Sequence, residues 1–280
     1  METLVILIVV SLYIGGIVLV SIRDKLKTDR KTLTPEQAFF LHRNLPFYDT
    51  LDEQGKKRFN HRMALFLEFH QFYGRDGLVI TEEMKITIAG AGIHLTFGMD
   101  DFMFYSFLDI YVYPAAYYSP FSKTMNKGET NPQGIIAFSW PHLEEGFETT
   151  SDKINLGYHE FAHALLLQQS QEELNDSTFG DGYRLFSIAM QKYKIARQAY
   201  QLDFLREYAF TNKMEFFAVC TEHFMEAPED LNNKFPGLYL IMTRMLRIDP
   251  LNRGTHLSFD YDDETVNETI EKILDRDGPY

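Results

Sequence analysis

The segment that most constrains this 280-residue chain is Leu156-Gly157-Tyr158-His159-Glu160-Phe161-Ala162-His163-Ala164-Leu165. Three ionisable side chains interrupt an apolar stretch of helical character there, which predicts a helix over about 152–169 with Ser151 or Asp152 as its cap. On such a helix His159 and His163 stand one turn apart and face the same way. A polar or charged helix face would give the same pattern if it were solvated. Phe161, Ala162, Leu165, Leu166 and Leu167 argue instead for burial, where unpartnered imidazoles and a carboxylate are costly. Two neutral imidazoles at this spacing can hold one Zn²⁺. Glu160, on the neighbouring side, can take a proton from water that the metal acidifies.

A catalytic zinc takes a third protein ligand and keeps one position open. Candidates lie in the helical segment 212–223. Glu215 and Glu222 are seven residues apart on one face, and His223 offers an imidazole. Asn212-x-x-Glu215 also reads as a capping box, which would engage Glu215 without a metal. Spacing leaves all three open.

The N-terminus carries a different signal. Residues 3–22 contain no charge and reach the roughly 20 residues a helix needs to span a bilayer. Glu2 precedes the run, and Arg23, Lys25, Lys27, Arg30 and Lys31 follow it. A cleaved signal peptide would have a basic start, a shorter apolar run and a small-x-small cleavage site, whereas here the start is acidic, the run is long and Val18-Leu19-Val20 is a poor cleavage site. The expectation is a retained single-pass anchor in the cell (inner) membrane, a charged tether over 23–33, and a cytosolic domain over 34–280.

Composition narrows the function classes. A net charge of -13 argues against a nucleic-acid partner, because phosphate neutralisation needs surplus Lys and Arg. The single cysteine, Cys220, rules out a disulfide framework and a multi-cysteine metal site, and reads as a small buried hydrophobe.

Thr34-Pro35-Glu36-Gln37 reads as a capping box opening a helix to about His42 or Arg43. Asp52 opens a longer helix to about Tyr73, with Phe59, Met63, Phe66, Leu67 and His70 on its stripe. Gly77–Ile80 reads as a short strand. Thr81 caps a further helix, whose small residues Ala89, Gly90, Ala91 and Gly92 predict close helix packing. Residues 107–113 and 135–140 read as strands, ended by Pro114 and Pro141. Ser139-Trp140 is expected beside the cleft, where its backbone could pair with an extended peptide. From 151 onward the pattern is mostly helical, ending in a peripheral helix through Ile270 and Ile273.

Taken together, these motifs resemble a known family. His159-Glu160-Phe161-Ala162-His163, then Tyr208-Ala209, Glu215-x-Phe217-Ala218-Val219 and Ala227-Pro228, are similar to the Mlc titration factor A family of zinc peptidases. So are Gly77-Leu78, Thr81-x-Glu83-Met84, Val112-Tyr113-Pro114, Ser139-Trp140, Phe235-Pro236-x-Leu238-Tyr239 and Asp249-Pro250, so the resemblance spans about residues 35–255. It implies a zincin-like α+β domain, mostly helical with a small sheet. His159, His163 and Glu215 would be the ligands of one Zn²⁺, Glu160 the general base and Tyr208 an oxyanion donor. It also implies aminopeptidase-like hydrolysis of a peptide or protein substrate, feeble until a partner engages it, and a link to a transcriptional repressor. Where family members often carry Asp, this chain has Leu166. The expected function is a membrane-anchored zinc metallopeptidase. The alternative is a regulatory binding protein that sequesters a partner such as a transcription regulator, its zinc site structural or vestigial.

Overall fold

The computed structural model describes residues 32–149, 152–171, 177–200, 203–251, 268–272 and 274. The apolar run 3–22 lies outside the described residues, among which no helix is long and apolar enough to cross a membrane. The chain is a helix-rich α+β structure with a small sheet.

Thr34 and Gln37 form the expected capping box: the Gln37 N–H donates to Thr34 Oγ1 at 3.2 Å and the Thr34 N–H to Gln37 Oε1 at 3.0 Å. This opens α1 (Pro35–Asn44), which Pro46 restarts as the short α2 (Pro46–Thr50). Asp52 caps α3 (Glu53–Phe69), and Phe59, Met63 and Phe66 on its stripe are fully buried. The helix stops four residues earlier than expected. His70 turns extended, and Gln71 donates to the Leu108 carbonyl, starting β1 (Gln71–Gly74). Residues 77–80, expected as a strand, follow a turn in which Asp76 and Gly77 take positive φ values of 50° and 82°. Residues 77–80 form no strand, and Val79 is exposed.

Thr81 caps α4 (Glu82–Leu95), which is buried almost throughout. Then follow β2 (Asp109–Tyr113), a hairpin of β3 (Tyr117–Ser119) and β4 (Thr124–Asn126), β5 (Gly128–Asn131) and β6 (Ile135–Ser139). The main sheet has the order β1-β2-β6-β5. Its first three strands are parallel, and β5 runs antiparallel along the edge, with Gly128 opposite Phe138. Ile110, Val112, Ile136 and Phe138 point into the core.

Pro141 does not only end β6. It sits in the first turn of α5 (Trp140–Glu148). The remaining elements are α6 (Leu156–Gln171), α7 (Ser177–Tyr200), a 3₁₀ turn (Glu207–Phe210), α8 (Lys213–Glu226), α9 (Pro228–Lys234) and α10 (Pro236–Leu246). Ile270 and Leu274, in the segment expected to be peripheral, are both buried in the core.

Helix α6 is anchored by Phe161, whose ring meets those of Phe104, Phe138 and Phe66 at 4.8, 5.8 and 5.9 Å. Burying one such phenylalanine contributes about 1.5–3 kcal/mol. The small residues of α4 admit this contact: a Cβ at Gly92 would lie 3.1 Å from the Phe161 ring. Close packing of α4 against α6 therefore sets the height of the two histidines above the sheet.

Candidate active site

Helix α6 begins at Leu156 and not near Asp152, because Asn155 is the residue that caps it. Asn155 Oδ1 accepts the Tyr158 N–H at 3.1 Å, and its carbonyl accepts the His159 N–H at 3.0 Å. Asn155 Nδ2 donates to the Gly146 carbonyl at 2.8 Å and to Glu226 Oε1 at 3.0 Å. The residue is fully buried and has its polar groups engaged.

One turn later, the Nε2 atoms of His159 and His163 lie 3.1 Å apart. Glu215 Oε2 completes the cluster from α8, 3.2 Å from His159 Nε2 and 3.5 Å from His163 Nε2. Asn212 caps α8 by accepting the Met214 and Glu215 N–H groups on its side-chain Oδ1, so the cap engages only the backbone of Glu215 and leaves its carboxylate to the imidazoles. All three donor atoms fall within 4.8 Å of one another, compatible with a shared metal ion. Glu215 Oε2 is buried without a well-formed hydrogen bond, as a donor atom awaiting a cation would be.

The three open candidates for a third ligand separate in space. Glu222 sits behind His159: its Oε1 accepts from His159 Nδ1 at 2.6 Å and from Arg206 Nη2 at 2.5 Å, and its Oε2 accepts the Asn155 N–H at 2.8 Å. A carboxylate on Nδ1 orients the ring and directs Nε2 at the cluster. His223 is used elsewhere, with its nitrogens on the Val219 and Phe204 carbonyls.

Burial opposes protonation of His159, but Glu215 and Glu222 outweigh it and push its pKa up to about 10. For Glu215 burial is the largest single influence and acts upward. His159 and His163 together overcome it and hold the carboxyl well below the usual range. A cation entering here must displace a proton.

Glu160 is buried against the sheet. Thr130 Oγ1, on β5, lies 2.9 Å from both Glu160 Oε2 and the Glu160 carbonyl. Burial raises its pKa, while His163, His159 and the Thr130 bond pull the other way. Tyr208 lies on the 3₁₀ turn, its ring 6.4 Å from that of His159. Burial and then the Glu215 carboxylate push its hydroxyl pKa up. Both residues line a cavity of about 490 Å³, together with Met125, Gly128, His142 and Arg206.

Ser139 and Trp140 are not at a free edge. Strand β6 lies between β2 and β5, the Ser139 N–H donates to the Lys127 carbonyl, and Ser139 Oγ is 2.8 Å from His142 Nδ1. The edge strand beside the site is β5. Sequence reasoning missed Thr130, Asn155 and Arg206; a cap scan shifted by three residues would have found Asn155. Leu166, the residue at which this chain departs from the resembled family's pattern, packs in the core.

The family model of the glucose-regulated metallo-peptidases M90 matches residues 19–247, which include every cluster residue described above. A protein of Synechocystis sp. named Uncharacterized protein slr2042 is 26% identical over 246 residues, covering 79% of this chain and 87% of that one. Proteins named Mlc titration factor A from Yersinia pestis and Yersinia pseudotuberculosis are each 24% identical over 241 residues, covering 75% of this chain and 84% of theirs. The match runs across sheet, donor cluster and helices together, and the chain belongs to the glucose-regulated metallo-peptidase M90 family.

Proposed function

We propose that this protein is a zinc-dependent peptidase. The observation that carries the reading is the convergence of His159, His163 and Glu215 donor atoms within 4.8 Å, with the Glu160 carboxylate on the same helix and in the same cleft. Two imidazoles and one carboxylate are a donor set that suits catalytic zinc, one ion per chain. When bound, zinc supplies Lewis acidity toward a carbonyl and lowers the pKa of water.

The chain's own residues do the rest. Glu160 takes the proton of the attacking water on its carboxylate and returns it to the leaving amine. Burial raises its pKa, which makes the carboxylate a stronger base than an exposed one. Tyr208, kept protonated, donates a hydrogen bond to the developing oxyanion. An extended peptide pairs with edge strand β5, which places its carbonyl beside Glu160. An aminopeptidase preference follows the family resemblance. Residues 3–22 anchor the protein in the cell membrane, and the basic residues after them keep 34–280 on the cytosolic side.

A second reading has the protein sequester a regulatory protein at the membrane. It is favoured by the relatives named Mlc titration factor A. Glu160→Gln distinguishes the two. The variant is expected to keep about one zinc per chain and to lose about 10²–10⁴-fold in peptide turnover. Full activity in the variant would remove Glu160 as the base. An undiminished cellular effect without turnover would favour sequestration.

A further inference from the structure

A second cavity, of about 220 Å³, shares Gly146 with the cleft and is otherwise lined by different residues. One wall is a continuous run of rings. Phe47 stacks on His94 at 3.8 Å, His94 meets Tyr158 at 5.6 Å, and Tyr158 meets Phe147 at 5.7 Å. The polar atoms of that wall answer each other, with His94 Nδ1 2.8 Å from the Tyr158 hydroxyl.

Glu226 supplies a carboxyl to the same cavity. Its Oε1 is held by Asn155 Nδ2, but its Oε2 is buried without a well-formed hydrogen bond. Burial first, and then the charges of Asp152 and Glu222, raise its pKa to about 7, and those two neighbouring carboxylates give the local field that favours a cation. Lys153, whose backbone bonds Glu226, directs its ammonium to Asp230 at 2.7 Å and does not neutralise Glu226.

We propose that this cavity binds a small organic ammonium ion with an apolar body, its charged head on the Glu226 carboxylate and its body against the Phe47–His94–Tyr158–Phe147 wall. A carboxylate satisfies the ammonium N–H groups, and aromatic faces attract the same charge. The volume suits a single ring or a short branched chain and is too small for a drug-sized ligand. Asn155 joins this cavity to the candidate active site, since it holds Glu226 through its side chain and Glu222 through its N–H.

The test is calorimetric titration of the full chain with benzylamine at pH 8, with benzyl alcohol as the neutral probe. Saturable one-to-one binding of benzylamine is expected, at least tenfold tighter than the alcohol. Glu226→Gln should weaken it at least tenfold. Thr50→Trp, which fills the cavity from α2 and leaves Glu226 and Asn155 untouched, should do the same and decides the matter if Glu226→Gln does not fold. Tyr208→Ala, in the other cleft, should change nothing. Absence of saturation, equal binding of the alcohol, undiminished binding in folded Glu226→Gln or in Thr50→Trp, or loss in Tyr208→Ala would each overturn the proposal.

Discussion

Glu222 Oε1 lies 2.6 Å from His159 Nδ1, and the same carboxylate takes the Asn155 N–H through its other oxygen. One buried side chain thus fixes both a candidate ligand ring and the start of the helix that carries it.

Removing that carboxylate should loosen the ligand set without deleting a ligand. Glu222→Gln is expected to weaken zinc binding by about 10–100-fold, measured by competition with a chromogenic chelator. Glu215→Ala should weaken it more. Equal affinity in wild type and Glu222→Gln would mean that the contact does not orient His159.

Gly128 begins edge strand β5 directly over the general-base candidate. A Cβ there would lie 2.5 Å from Glu160 Oε1 and 2.7 Å from Leu156 Cδ1, closer than those atoms can tolerate. Gly128→Ala is therefore expected to displace the Glu160 carboxylate and lower kcat by about 10²-fold while zinc content stays unchanged. Parallel metal analysis and peptide-hydrolysis assays would check both halves.

His70 links stability to pH away from the cleft. Its Nδ1 is 2.7 Å from the Phe107 carbonyl and its Nε2 is buried without a partner. Burial lowers its pKa to about 4 from the ordinary value of 6.5, against the pull of its backbone bonds. The unfolded chain then binds the proton first. The neutral ring's contribution is fully present above pH 6.5 and is lost as pH falls toward 4, a change of about 3 kcal/mol. Urea unfolding of the metal-free protein at pH 7.5 and 4.5 should show this loss, and His70→Gln should show less of it.

Asn155 is the junction of three segments, so its truncation should cost more than a surface cap. Asn155→Ala removes the cap of α6 and strips the Gly146 carbonyl of its buried donor. A loss of about 1–3 kcal/mol in unfolding free energy is expected. A change within 0.5 kcal/mol would show that water or a neighbour replaces it.

The histidine helix was legible because its apolar period surrounds the motif, and the capping box at Thr34 because both of its bonds are local in sequence. The start of α6 was not legible: Lys153 takes a positive φ of 66°, and the turn this makes moves the cap from Asp152 to Asn155. Strand β5, Gly-Glu-Thr-Asn, carries almost no strand propensity, and its pairing with β6 decides its conformation. Spacing placed Glu215 and Glu222 on one face. Only the docking of α8 against α6 separates the residue that meets both Nε2 atoms from the residue that grips Nδ1.

That docking has a consequence for how ion capture relates to folding. The three donor atoms come from two helices far apart in the chain, and neither helix alone assembles the set. An expanded state that kept every helix but lost the seat of Phe161 among Phe66, Phe104 and Phe138 would hold its secondary structure and scatter the three donor atoms. The spacing of these donor atoms is thus a gauge of tertiary order, one that spectroscopic helicity would not register.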